Sequence, residues 1–242
     1  MADFFSWQRL ADNFPKLLVY LPVTFGIVGI AAAAGIVLGI LIAIVCIRRV
    51  PVLNQICTVF ISFMRGTPML VQMLVAYYGI PLLLELLFNV DSRRWPKIAF
   101  VYITFALNQG AFLSELLRSS ILAISPGQTE AGFSVGLTSF QTFRRIVMPQ
   151  AARIALPGLS LDVVGLFQET SLVYMVGVID VLGRAQTIAA QTGHVLECYI
   201  LIAVFFVVIS LLLRSAFSKF EEKLTYGSRE PATEDADEHS AA

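Results

Sequence analysis

Ser125-Pro-Gly-Gln-Thr-Glu-Ala-Gly-Phe-Ser-Val-Gly136, followed after nine residues by Ile146-Val-Met-Pro149, is a polar, glycine-hinged island between long apolar runs. Ser125 before Pro126, with Gln128 three positions on, has the form of an N-cap, a proline at the first helical position and a reciprocal capping partner. A short helix is expected to start there. Gly136 is placed to end it in a left-handed C-cap. Thr138 and Gln141 repeat the capping pattern and open a second helix, on which Phe140, Phe143, Ile146 and Val147 are expected to share one face. The island therefore reads as helix, glycine turn, helix, and its flanks decide what kind of protein carries it.

Those flanks are apolar over membrane-spanning lengths. The chain is 57% apolar and 14% charged, with a mean hydropathy of +0.78, far from the balance of a soluble domain. On the rule that roughly 20 apolar residues cross the hydrocarbon core, about five spans are expected. They run from about Pro22 to Ile47, Pro51 to Leu87, Ile98 to Ile124, Leu156 to Val178 and Val195 to Phe217. The second is too long for one perpendicular crossing, and Gly66 and Pro68 predict a kink within it. Backbone groups in a bilayer must be satisfied internally, so the spans must be helices, and the fold class is all-α integral membrane. The period-two alternation of a membrane barrel is absent from the sequence. The first residues are acidic and aromatic, unlike a cleavable signal, so the first span is expected to stay in the mature protein.

Arginine and lysine set the expected orientation, since cytoplasmic loops retain positive charge. Arg48 and Arg49, the group Arg144, Arg145 and Arg153, and the group Arg214, Lys219 and Lys223 fall on one side if there are five spans. This places residues 1–18 outside, a transmembrane domain over 19–222 with the polar loop 125–149 in the cytoplasm, and the C-terminus inside. Residues 223–242 are acidic and poor in large apolar side chains, and are expected to form a disordered cytoplasmic tail.

Cys46, Cys57 and Cys198 are scattered without metal-ligand spacing and read as packing residues. His194 and His239 read as isolated surface residues, and no metal site is expected. The chain has no phosphate-binding G-x-x-x-x-G-K-[ST] motif, so any ATP and magnesium it depends on would be held by another polypeptide.

Charges inside spans are costly, about 2.5–3.5 kcal/mol each on insertion scales. Glu115 and Arg118, three apart on one helix face, can neutralise each other. Asp162 and Glu169, two turns apart on one face with Gly165 between them, have no basic companion in their span. They read either as buried, neutral or bonded to a neighbouring helix, or as the lining of a polar solute path. Ala31, Gly35 and Gly39 form a small-residue stripe on the first span that would let another helix approach closely.

The spacing Glu130-Ala-Gly, three residues, Gly136, nine residues, Ile146, then Pro149 resembles the EAA loop of the membrane subunits of bacterial ATP-binding-cassette importers. Arg65-Gly-Thr-Pro68, Ser125-Pro-Gly-Gln128, Thr142-Phe-Arg-Arg145, Arg153-Ile-Ala-Leu-Pro157 and Glu169-Thr-Ser-Leu172 look like the polar amino acid subfamily. The match runs from about Val19 to about Phe220. The resemblance implies a type I importer (MetI-like) transmembrane domain in the bacterial plasma membrane, with no catalytic residue of its own. Glu130, Ala131, Gly132, Gly136, Ile146 and Pro149 would couple it to an ATPase dimer. A second permease subunit, identical or homologous, an extracytoplasmic solute-binding protein, a polar amino acid and membrane lipid are the implied partners; nucleic acid is not among them. Arg65, Asp162, Glu169, Thr170 and Ser171 would lie on the solute path, where the carboxylates can meet the solute ammonium.

Two departures from the family pattern stand out. Gly132 replaces the second alanine of the loop, lowering helix propensity by about 1 kcal/mol. The usual Gly-Asn-polar cluster before Glu169 reads Leu159-Ser-Leu-Asp162 here, which allows the chain to be the non-binding member of a heterodimer. An ion-coupled secondary transporter using Asp162, Glu169 or Glu115, and a membrane scaffold, are the competing readings.

Overall fold

The most apolar run of the sequence forms helix α2 (Leu21–Ile47), which lies against α5 (Lys97–Leu122) along a stripe of small residues. The computed structural model describes residues 5–225. Ala31, Gly35, Gly39 and Ala43, four apart on one face, are buried in this contact. A Cβ on Gly35 would sit 2.5 Å from Gln109 Cβ, and one on Gly110 of the facing helix 2.8 Å from Leu38 Cβ. Lipid tails give two helices no hydrophobic reason to associate, so close backbone approach through small residues supplies the packing instead. The stripe expected on the first span is met, and α5 is its partner.

Around this pair the described helices are α1 (Trp7–Leu18), α3 (Leu53–Gly66), α4 (Met69–Phe88), α6 (Pro126–Ser134), α7 (Ser139–Thr142), α8 (Met148–Glu169), α9 (Val181–Thr192) and α10 (Val195–Thr225). A π-helical turn (Phe143–Val147) joins α7 to α8, and a 3-10 segment (Thr170–Val176) follows α8. Five described runs are long and apolar enough to cross a membrane: Leu21–Ile47, Met69–Phe88, Lys97–Leu122, Ser139–Val176 and Val195–Lys223. α8 packs on α5 and α10, and α4 on α5. With five crossings, α6 and α7 lie at one end of the bundle and α1 and α9 at the other.

The second span differs from the single kinked helix expected. α3 stops at Gly66, Thr67 is extended with φ −118° and ψ 145°, and Pro68 leads into α4. Proline cannot continue the hydrogen-bond ladder, so carbonyls before it are set free. Gln72 repairs the gap: its Nε2 donates to Met64 O at 2.7 Å and to Thr67 O at 3.0 Å. Asn108 of α5 donates to Gln72 Oε1 at 2.9 Å, tying the repaired break to the central helix pair. The fourth span also differs. It is the upper part of a continuous helical run that begins at Ser139, with no loop between hairpin and membrane helix.

At the end away from the hairpin, α1 and α9 are elements that the spans alone do not announce. α9 buries Val181, Gly183, Ala185, Ile188 and Ala189. Asp180 caps it through Gly183 N at 2.8 Å, and Gly193 closes it in a left-handed C-cap. Thr24 Oγ1 of α2 accepts from Val181 N at 3.4 Å. His194 is half-buried rather than an isolated surface residue, because Arg9 of α1 donates to its Nδ1 at 3.1 Å. α10 is helical through Thr225; the acidic stretch 226–242, with His239, lies outside the described residues.

Burial pushes the Asp180 carboxyl up from its usual 3.8 to about 6, against the Gly183 and Leu182 amides that favour its charged form. One of its oxygens is buried without a hydrogen-bond partner. A raised carboxyl pKa means that protonation favours the folded state, so this contribution is full below about pH 3.8 and is lost as pH rises through about 6. That displacement corresponds to roughly 3 kcal/mol. The unfolding midpoint of the detergent-solubilised protein should therefore fall between pH 4 and pH 7 through Asp180. Asp180→Asn, which keeps the capping acceptor, should flatten that part of the profile. An unchanged profile in the variant would show that Asp180 does not carry it.

Candidate functional site

The hairpin at one end of the bundle is built by local backbone chemistry. Pro126 occupies the first turn of α6, where its missing N–H costs nothing. Gly136 follows the helix with φ +79°. Its amide donates to Phe133 O at 2.9 Å, and the Leu137 amide donates to Gly132 O at 3.1 Å. These two bonds form a Schellman closure, which needs the left-handed residue that glycine provides without strain. Thr138 and Gln141 form a complete capping box: Gln141 N donates to Thr138 Oγ1 at 3.3 Å and Thr138 N to Gln141 Oε1 at 2.9 Å.

Two expectations here need correction. Ser125 makes no side-chain cap bond: the Gln128 amide donates to the Ser125 carbonyl at 3.0 Å instead, and the Gln128 side chain, which would have closed the box, accepts from Gln150 Nε2 at 3.2 Å. Phe140, Phe143, Ile146 and Val147 do not share one face. The π-helical turn from Phe143 to Val147 shifts the phase of the helix, leaving Phe140 70% exposed while Val147 is buried.

Gly132 acquires a reason to be glycine. It is the buried residue of α6, and a Cβ there would lie 2.6 Å from Thr142 Cγ2 and 2.8 Å from its Oγ1. The backbone of α6 therefore sits directly on the fully buried Thr142, and the close approach offsets the lost helix propensity. Glu130 and Ala131 point the other way and are exposed, as are Phe133, Val135 and Phe140. Pro149 is exposed in the first turn of α8, and Ile146 is half-buried beneath α6. A cleft of about 230 Å³ opens between the hairpin and the end of α5, lined by residues including Ile121, Thr129, Phe133 and Phe143. The arrangement offers a partner one carboxylate within an apolar, aromatic-edged surface.

The second group of residues lies along α8. Asp162 and Glu169 are both half-buried, share a helix face and are within electrostatic range of each other. Asp162 Oδ2 is buried with no hydrogen-bond partner. Thr170 is buried and its hydroxyl donates back to Phe167 O at 2.7 Å, so it does not present that proton to a solute. Ser171 is half-buried. Arg65 belongs elsewhere. Its guanidinium lies 5.4 Å from the centroid of the Phe112 ring, on a cleft of about 430 Å³ shared with Arg49, Glu115 and Arg118 of the hairpin end. Glu115 and Arg118 pair as expected, with Arg118 Nε donating to Glu115 Oε2 at 3.0 Å.

Gln72 and Asn108 are the polar residues that the motif reading passed over. Their signal was their chemistry, since an amide in the middle of an apolar run is costly unless it has partners. Among the described residues, no group of three His, Cys, Asp or Glu side chains could hold a metal ion.

Residues 35–226 match the family described as binding-protein-dependent transport system inner membrane component. The L-cystine transport system permease protein TcyL of Bacillus subtilis is 36% identical, over 93% of this chain and 93% of its own. The glutamine transport system permease protein GlnP of Escherichia coli is 31% identical, over 91% of this chain and 98% of its own. A chain from the crystal structure of an amino acid ABC transporter with histidines superposes with a TM-score of 0.80 at 27% identity, covering 90% of this chain and 99% of that one.

The Gly132–Thr142 contact makes a direct prediction. Gly132→Ala gains about 1 kcal/mol of helix propensity but overpacks a buried contact, at about 1–3 kcal/mol. The hairpin should loosen, and trypsin should cut faster at the exposed Arg144 and Arg145. Thr142→Ala in the same chain should restore slow cleavage by removing both atoms that collide. Equal cleavage of the parent, single and double variants would show that α6 moves aside freely.

Proposed function

The chain belongs to the family of binding-protein-dependent transport system inner membrane components, and from that membership we propose that it is the transmembrane subunit of an ATP-driven importer of polar amino acids. The relatives that are permeases for cystine and glutamine support the solute class. The observation that carries the mechanism is the hairpin, a pair of helices locked by a Schellman closure and a capping box and presenting Glu130, Ala131, Phe133 and Phe140 outward.

In this reading the hairpin docks into an ATPase subunit through Glu130, Ala131, Gly136 and the segment from Ile146 to Pro149. The chain works as a dimer with an identical or homologous permease, above two ATPases that hold ATP and magnesium, and a binding protein delivers solute from outside. Closure of the ATPases moves the paired hairpins, and the cavity changes from inward-facing to open toward the binding protein. This chain supplies no catalytic residue; its contribution is mechanical. Asp162 and Glu169 take the solute ammonium, since a buried carboxylate oxygen without a partner is an acceptor awaiting a cation. Backbone and hydroxyl groups near Thr170 and Ser171 hold the solute carboxylate. Arg65, on its own cleft, anchors α3 to Phe112 at the hairpin end of the path.

The orientation that goes with this reading puts Arg48, Arg49 and the hairpin in the cytoplasm and residues 91–94 outside. Single cysteines at Arg49 and Val135, in a cysteine-free chain, should react with a membrane-impermeant maleimide only after permeabilisation, and one at Asp91 in intact cells. The opposite pattern would invert the topology.

For transport, proteoliposomes of the whole complex should take up a polar amino acid only with ATP on the hairpin side, and uncouplers should not matter. Uptake driven by a proton gradient without ATP would make the ion-coupled reading correct. Glu169→Gln keeps shape and removes charge, so it should raise the solute concentration for half-maximal uptake by about tenfold or more, the worth of one charge-assisted bond of roughly 1.5–3 kcal/mol. Assembly and basal ATP hydrolysis should be unchanged. Unaltered affinity in both Glu169→Gln and Asp162→Asn would move the solute site to the partner permease.

A further inference from the structure

Helix α1 precedes the first span and carries three distinct faces. Leu10, Asn13 and Leu17, spaced three and four apart, turn inward; Asn13 and Leu17 are buried, and the helix packs on α9 and α10. Gln8, Asp12 and Lys16 form an exposed polar face. Between the two lies a stripe of Trp7, Ala11, Phe14 and Leu18, spaced four, three and four apart and hence on one line along the helix. These apolar residues are exposed: Trp7 by 77%, Phe14 by 47% and Leu18 by 36%.

The roll of α1 is fixed. Arg9 Nη1 sits 3.6 Å from Oε1 of Glu197, the buried carboxylate in the first turn of α10, and 3.1 Å from His194 Nδ1. Ser6 N donates to the same Glu197 oxygen at 3.1 Å. The helix therefore cannot rotate to hide the stripe against α9 and α10. Its height is fixed as well: only Val19 and Tyr20 separate α1 from α2, and two residues reach about 7 Å at full extension. α1 must lie at the level where the first span enters the bilayer. Beside it the first turns of α10, a membrane-spanning helix, also expose apolar side chains at Val195, Leu196 and Tyr199.

We infer that α1 is an in-plane membrane anchor, lying in the interfacial zone of the leaflet at the end opposite the hairpin, with Trp7, Ala11, Phe14 and Leu18 turned into the lipid and Gln8, Asp12 and Lys16 into water. An apolar stripe beside a polar face, with an indole at one end, suits the boundary between headgroups and acyl chains, where such helices sink about 5–10 Å. The occupant of the surface is lipid, not protein. This does not depend on which solute is carried.

The test is a spin-label scan of residues 7–18 in the complete complex in proteoliposomes, with all other reactive cysteines removed. Collisions with oxygen, which concentrates in lipid, should peak at positions 7, 11, 14 and 18. Collisions with a water-soluble nickel chelate should peak at 8, 12 and 16, and both should be low at 13 and 17. The oxygen-to-nickel ratio should be several-fold higher on the stripe than on the polar face. Strong nickel collisions at 7, 14 and 18 would place the stripe in water and overturn the inference. Weak collisions with both reagents there would mean that a partner subunit covers it. Immobilisation of the labels only on adding ligand-loaded binding protein would make the stripe a docking surface for that protein. Either of these last two results also overturns the lipid assignment, and none of the three bears on ATP-driven uptake.

Discussion

In hydrocarbon there is no water to take up a freed backbone group, so every interruption of a spanning helix must be repaired by the protein itself. The interruption at Gly66–Pro68 is repaired by one glutamine. Gln72 serves both the Met64 and Thr67 carbonyls, and Asn108 holds its oxygen from the neighbouring helix. Asn108 is in position because α5 is pressed against α2 through Gly35, Gly39 and Gly110. The broken span, its polar repair and the close helix pair are thus one unit. It lets α3 leave the line of α4 and stand without a buried residue of its own.

The ionisable residues divide by the same logic. Glu115 has its charge answered within its own helix by Arg118, and Glu197 is met by Arg9 and the Ser6 amide. These pairs hold elements in place. Asp162 has no basic partner: like Asp180 and Glu197 it keeps one buried oxygen without a hydrogen bond, but unlike Glu197 it forms no ion pair among the described residues.

The sequence was informative where structure is local and silent where it is tertiary. Thr138 with Gln141 and the glycine at 136 specify their turns through neighbours a few residues away, and the hairpin formed as their chemistry requires. The box at Ser125 did not form: the Gln128 amide took the Ser125 carbonyl and its side chain found Gln150, twenty-two residues distant. The phase shift at Phe143 was equally hidden, since a π-helical turn leaves no mark in apolar spacing. The ends of the first, third and fifth spans moved by a few residues, while the second began at Met69 instead of Pro51 and the fourth run at Ser139 instead of Leu156; α1 and α9 escaped because neither carries the long apolar run that defines a crossing. The pattern for α9 is nevertheless present, in Asp180 and Gly193 at its ends and Val181, Ala185 and Ile188 on one face. On α8 the spacing of Asp162 and Glu169 was legible; the approach of Arg65 to Phe112 was not, because it depends on where the broken span leads.

One feature of the chain's geometry acts beyond its own place. The helical run from α7 through the π turn into α8 has no loop between the hairpin and Glu169. A loop absorbs displacement; a helix passes it on. From Thr142 to Glu169 it is a lever of about 40 Å at the usual rise of about 1.5 Å per residue, so a tilt of about 5° at the hairpin carries the carboxylate sideways by about 3–4 Å. That is the scale on which a contact with a small ion is made or broken. Pro149 and Pro157 are the joints along it where bending would be concentrated, and the stiffness of those two joints sets how much of any push at one end is felt at the other.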